Sequence, residues 1–167
     1  MSNTRRLDTA VTGNDFREFS YHLMNDHNYL PDVLKDYKCL LEAYTQTMAR
    51  CCQPFALVGP DNKMGGVFFM SDVVPEHEAN FFMWMWNPKC YTATTNKFMY
   101  GYIEHYAEEN LLARVVCRTP DDKKLGQLLE KLGFKLEGRF SQGYKSGGKL
   151  STLFQYRRKF RFGSGGV

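Results

Sequence analysis

Leu128-Leu-Glu-Lys-Leu-Gly-Phe-Lys-Leu-Glu-Gly138 is the stretch from which the architecture of this chain is most readily read. Leu125, Leu128, Leu129 and Leu132 recur at the period of an amphipathic helix. Asp121 or Asp122 supplies a capping oxygen at its start. Gly133, free to take positive φ, closes it. From Phe134 to Phe140 the spacing becomes that of a strand.

Reading outward toward the C-terminus, a turn at Gly147-Gly148 returns the chain into a last aromatic strand, Leu150 to Phe162, with a loose tail at 163–167. Toward the N-terminus, Ala113 to Cys117 is a short strand stopped before Pro120. Thr92 to Asn110 is a long helix with Phe98, Tyr102 and Tyr106 on one line and Met99 and Ile103 beside it. Ala79-Asn-Phe-Phe-Met-Trp-Met-Trp86 is an aromatic and apolar run of strand length, which predicts a central strand covered on both faces and ended by Asn87-Pro88. Phe55 to Val58 and Gly65 to Met70 flank the turn Gly59-Pro-Asp-Asn62 and read as a hairpin. Two helices precede it, one capped by Asn14 or Asp15 and carrying Phe16, Phe19, Leu23 and Met24, the other running from Pro31 with Leu34, Tyr37, Leu41, Tyr44 and Met48 on one stripe. The order predicts an α/β (α+β) domain over residues 1–162, a layered fold with a central mixed sheet flanked by helices.

Composition agrees with that reading. A chain of 167 residues, 43% hydrophobic, supplies one core and is too short for two full-sized domains. The longest apolar run, Phe81 to Trp86, falls far below the roughly 20 residues of a membrane span, and the polar start does not read as a secretory signal. Cys39, Cys51, Cys52, Cys90 and Cys117 show no metal-ligand spacing and are odd in number, which suits a reducing cytoplasm better than a disulfide scaffold or a zinc site. The net charge of +4 is uneven: Arg139, Lys145, Lys149, Arg157, Arg158, Lys159 and Arg161 face no acidic residue in the final segment.

The helix, glycine, aromatic and strand sequence of Asp122 to Gly138, with its E-K-x-G-F and E-G pairs, resembles the closing motif of the GNAT acyl-CoA N-acyltransferases, and within them the ribosomal-protein N-terminal acetyltransferase branch. The resemblance extends to the element order over most of the chain. It implies a single GNAT-like domain that takes acetyl-CoA as cosubstrate and acetylates a primary amine: a protein N-terminus, a lysine or a small molecule. It further implies that the strand ending in Met85 and Trp86 holds the pantetheine arm through its backbone. In the family a Gly-rich turn follows that strand and binds the pyrophosphate. Here the turn is Lys89-Cys-Tyr-Thr-Ala-Thr94, with Lys89 in the basic position and Thr92 and Thr94 where glycines belong. Unpaired amides and the positive end of a helix dipole favour a dianion there, so Lys89, Thr92, Ala93, Thr94 and Thr95 are the expected pyrophosphate contacts. Asp122 replaces an Asn that many relatives place before the last helix. The family's Tyr acid falls on Leu129 and the ribosomal branch's Ser on Leu125, leaving Tyr91, Tyr144 and Cys117 as substitutes or as packing residues. Glu78, at the entry of the central strand beside Glu76 and His77, is the expected proton acceptor. His22 and His27 are weaker candidates for the acceptor side.

A second expectation belongs to another class. The fold signals are retained while the glycine turn and the Tyr acid are missing, as loss of catalysis would produce. Some small internal virion proteins of short-tailed bacteriophages resemble this layout, down to the aromatic last strand. A virion location would then replace a cytoplasmic one, and Arg157, Arg158, Lys159 and Arg161 would contact DNA or protein. Base stacking on Trp84 and Trp86 requires their exposure, whereas so dense an apolar run predicts core.

Overall fold

Alternate residues of Glu78–Met85 are buried on opposite faces of one sheet, because the apolar run of this strand leaves neither face for solvent. The computed structural model describes residues 4–6, 14–25, 54–120, 123–146 and 148–162. Among these the order is β1 (Thr4–Arg6), α1 (Asn14–Asn25), β2 (Phe55–Val58), β3 (Met64–Val74), β4 (Glu78–Met85), a 3₁₀ turn (Pro88–Cys90), α2 (Ala93–Glu109), β5 (Arg114–Thr119), α3 (Lys124–Lys131), β6 (Lys135–Ser146) and β7 (Lys149–Lys159). The seven strands form one mixed sheet in the order β1-β2-β3-β4-β5-β7-β6. Only β4 and β5 run parallel, joined by α2 as a crossover.

Two cores lie on opposite faces. On the first, Met99 and Ile103 of α2 and Leu125 and Leu129 of α3 pack over Phe68, Phe81, Met83, Val115 and Cys117. On the second, Phe19 of α1 meets Val67, Phe69 and Trp84, with Phe19 edge-on to Trp84 at a centroid distance of 5.9 Å. Each such large side chain contributes about 1.5–3 kcal/mol when withdrawn from water. Among the described residues, helical coverage of the second face stops at β4. Beyond it that face carries Arg114, Arg118, Glu137, Gln155 and Arg157, joined by ion pairs and hydrogen bonds rather than packed under a described helix.

The predicted layered α/β fold is the observed one. Gly133 closes α3 with φ +87°, its amide donating to the Glu130 carbonyl at 3.0 Å and that of Phe134 to Leu129 at 2.9 Å. Gly65 is required by a close approach, since a Cβ there would stand 2.2 Å from Cys90 Sγ. Several boundaries differ from the sequence reading: the last strand ends at Lys159 rather than Phe162, and the strand expected over Ala113 to Cys117 is Arg114–Thr119. β1 is an unforeseen edge strand, polar in sequence and held by its pairing to β2 and by Arg5, which grips Asp15 through both carboxylate oxygens at 2.5 and 2.8 Å. β3 continues past Met70 through a bulge where Asp72 takes φ 50°, and Asn80 donates to its carboxylate at 2.9 Å, so a polar stretch stays within the sheet. β6 runs past Phe140 to Ser146 through a second irregularity between Phe140 and Tyr144. The helix expected from Pro31, the tail at 163–167, and Cys39, Cys51, Cys52, Asp121 and Asp122 lie outside the described residues.

Candidate active site

The parallel seam is short. β4 and β5 are in register only over Glu78–Asn80 against Arg114–Val116; beyond Asn80 and Val116 no pairs join the two strands. In the gap lies a cleft of about 70 Å³ whose lining includes Phe81, Phe82, Met83, Cys117, Thr119 and Tyr144. Strand alternation shows that the cleft passes through the sheet. Cys117 faces the α2 and α3 side with its partner Tyr156. Leu153 and Tyr144 lie on the other side, in step with Gln155 and Arg118. Two reactants can therefore meet from opposite faces.

Backbone direction separates the residues expected to hold a pantetheine arm. The amide of Trp86 donates to the Gly65 carbonyl at 3.0 Å, so its polar groups belong to β3. By alternation, the amides and carbonyls of Met83 and Met85 point into the seam. The ring of Trp86 is turned to the α1 side, where Nε1 donates to the Met64 carbonyl at 3.2 Å and His22 stacks on it at 4.1 Å. Trp84 is fully buried, which removes it as a stacking platform.

Where β4 ends, the 3₁₀ turn leads into the N-terminus of α2. Thr92 is its N-cap, accepting from the amide of Thr95 at 3.2 Å, and the Thr95 hydroxyl donates to the Cys90 carbonyl at 3.3 Å. Those two hydroxyls serve the helix start. The Ala93 and Thr94 amides are left in the first turn, where an α-helix provides no partner. Lys89 is exposed in the preceding turn, its amide held by Asn87 Oδ1 at 3.2 Å.

The substitutes for a Tyr acid are sorted by the same geometry. Leu129 is fully buried in the core. The hydroxyl of Tyr91 is tied to Asn96 Oδ1, and burial pushes it up to about 12. Burial also pushes the Cys117 thiol up to about 12, so it stays protonated and unreactive. Tyr144 is the phenol that lines the cleft.

Glu78 stands at the closed end of the seam. Arg114 Nε donates to its Oε2 at 2.7 Å, and Arg114 also reaches Glu137 Oε1 at 3.4 Å. Glu78 and Phe82 share a face four residues apart, about 13 Å along a strand. Glu137 in turn accepts from Gln155 at 2.9 Å, and that bond, aided by Arg157 and Arg114 against the opposing effect of burial, holds its carboxyl below the usual range. Arg118 donates to Gln155 at 2.8 Å at the cleft. Arg114, Arg118 and Gln155 carry no signal in the sequence, and Glu137 stands there only as the Glu of the E-G pair; the β5, β7 and β6 register brings the four together. Glu76 and His77 occupy the exposed turn before β4, and His27 is outside the described residues.

No protein-family model matches the sequence, and no curated protein does. Solved structures do. A chimeric spermidine N-acetyltransferase from Vibrio cholerae aligns with a TM-score of 0.68 at 13% identity, covering 93% of both chains. A GNAT-family acetyltransferase from Bacillus anthracis gives 0.61 at 15% identity over 93% of each. A ribosomal-protein alanine acetyltransferase from Vibrio fischeri gives 0.64 at 15% identity, covering 93% of this chain and 91% of that one. The fold is the GNAT fold. At these identities the likeness is one of architecture alone.

Proposed function

We propose that the chain is an acyl-CoA-dependent N-acetyltransferase acting on a primary amine. The observation that carries this reading is the parting of β4 from β5, which leaves strand backbone unpaired beside a cleft open to both faces. Acetyl-CoA supplies an acetyl thioester. Met83 and Met85 hold the pantetheine amides through their backbone, and Lys89 with the Ala93 and Thr94 amides holds the pyrophosphate; Asp122 belongs to the same binding set. The amine enters from the face of Arg118 and Tyr144. Glu78, oriented by Arg114, takes the ammonium proton through water along that face. As the new C–N bond forms and the C–S bond breaks, the Tyr144 hydroxyl gives its proton to sulfur, and the proton that the nitrogen sheds in becoming an amide returns through water to the Tyr144 phenolate.

A second reading has its own observation. Among the described residues lining the cleft there is no carboxylate, and Glu78 is engaged by Arg114 at the far end of the seam. That arrangement suits a GNAT-fold protein kept for binding, in the form of a virion component, with its chemistry given up.

Isothermal titration with acetyl-CoA, and with CoA for comparison, separates the two. Micromolar binding that weakens in Lys89→Glu, with amine acetylation lost in Tyr144→Phe, is the expected result. No binding at millimolar ligand overturns the enzyme and leaves the second reading.

A further inference from the structure

At the closed end of the sheet, away from the cleft, lies a groove of about 660 Å³ lined by Lys135, Arg157, Arg158, Lys159 and Arg161, with Lys135, Arg157 and Lys159 flanking it from the face of Glu137 and Arg158 from the face of α2. Its aromatic walls are Tyr100, Phe160 and Phe162, and among the described residues its only lining carboxylate is Glu104. The charge is poorly balanced from within. Arg158 is 7% exposed, its guanidinium carbon 3.8 Å from the Tyr100 ring centroid and 4.9 Å from that of Phe160. It donates to the Tyr100 carbonyl at 3.2 Å, while the mostly solvated Glu104 reaches it only at 3.7 Å. Burial of a guanidinium is costly without close pairing, and here it lowers the group's pKa. Among the described residues, Lys135, Lys159 and Arg161 make no ion pair. Arg157 shares Glu137 with Arg114. A merely solubilising edge accounts for exposed lysines but not for a buried arginine flanked by rings.

Ring surface accompanies the charge. Tyr100 is 41% and Phe162 37% exposed, and Phe162 stacks against Phe160 at 5.9 Å. Aromatic faces beside a cationic groove bind unpaired bases and phosphates together. The volume falls in the range of small-ligand sites, roughly 300–1,000 Å³. We propose that this groove binds nucleotide phosphates together with a stacked base, supplied by single-stranded nucleic acid or by a free nucleotide. Lys135, Lys159 and Arg161 take the phosphates, Phe162 and Tyr100 the base. The proposal stands whether or not the cleft transfers acetyl groups.

The test is a fluorescence-anisotropy titration with a labelled ten-nucleotide oligo(dT) at low salt, with dTMP and inorganic phosphate as competitors. In Lys159→Glu/Arg161→Glu, two exposed sites whose change leaves the circular dichroism intact, affinity falls at least about tenfold and the salt slope flattens by about two phosphate contacts. In Phe162→Ala affinity falls about fivefold or more with the slope unchanged. Displacement by dTMP at equal nucleotide concentration identifies the free nucleotide as the ligand; persistence of the decamer identifies the strand. No anisotropy change up to about 100 µM protein overturns the proposal. So does binding that the charge-reversed variant retains, or binding that phosphate alone displaces while Phe162→Ala leaves it unaltered.

Discussion

The two ends of the β4–β5 seam are built on opposite rules. At the closed end, Glu78 and Arg114 are register partners and ion-pair partners at once, so backbone and side chain both hold the strands together. At the open end, the residues facing the gap are mostly apolar and the strand backbones have no partner in each other. The first arrangement removes binding capacity and the second creates it. A parallel pair in mid-sheet is ordinarily saturated, so a site requires the pairing to stop, and here it stops after Asn80, at the point in β4 where the Phe81 ring packs on Phe134.

The harshest way to break this contrast is Phe81→Ala. Phe81 is 3% exposed and stacked on Phe134 at 5.9 Å, so the loss should be about 3–5 kcal/mol in urea denaturation, with the open end collapsing. A smaller effect is expected from Thr92→Ala, which removes the cap of α2. Stability falls by about 1 kcal/mol, and in calorimetry acetyl-CoA binding weakens as the first turn frays. At the closed end, a double-mutant cycle on Glu78→Ala and Arg114→Ala should give a coupling below about 1 kcal/mol that shrinks with salt, since the two side chains are 27% and 34% exposed. A coupling of several kcal/mol would mean that the ion pair, not the strand register, fixes the closed end.

The faintest effect is a pH dependence. Glu137 has a lowered pKa chiefly through the hydrogen bond from Gln155, so the folded state favours its ionised form. Its contribution is complete above the unfolded carboxyl range, near about 4.3, and is lost as pH falls through the lower folded value. Thermal melts taken between about pH 5 and pH 3 should therefore drop more steeply for the native protein than for Glu137→Gln.

Much of the fold was legible because local and global signals coincide in it. Leu125, Leu129 and Gly133 declare a helix and its end wherever they are placed, and the apolar run through Phe82 and Trp84 can only be satisfied between two covered faces. β1 was not legible, because Thr4-Arg5-Arg6 carries no apolar pattern and becomes a strand only by pairing with β2. The same division runs through the site. Lys89 and Thr92 could be placed from their position between a strand and a helix. Arg114, Glu137 and Gln155 meet on one face through strand register alone, a long-range property that spacing in sequence does not encode. Tyr144 reaches the cleft past the irregularity between Phe140 and Tyr144, which the polar stretch Ser141-Gln-Gly143 does not announce as part of a strand.

The contact between Gly65 and Cys90 carries a consequence for time rather than for structure. The Cys90 thiol is 1% exposed and pushed up in pKa, first by burial and then by Asp61. Only a thiolate that reaches solvent reacts with an alkylating reagent. In a protein whose Cys39, Cys51 and Cys52 are replaced by Ser, slow labelling of Cys90 counts how often the turn between β4 and α2 lifts away from Gly65. The mouth of the cleft thus carries its own clock, readable by mass.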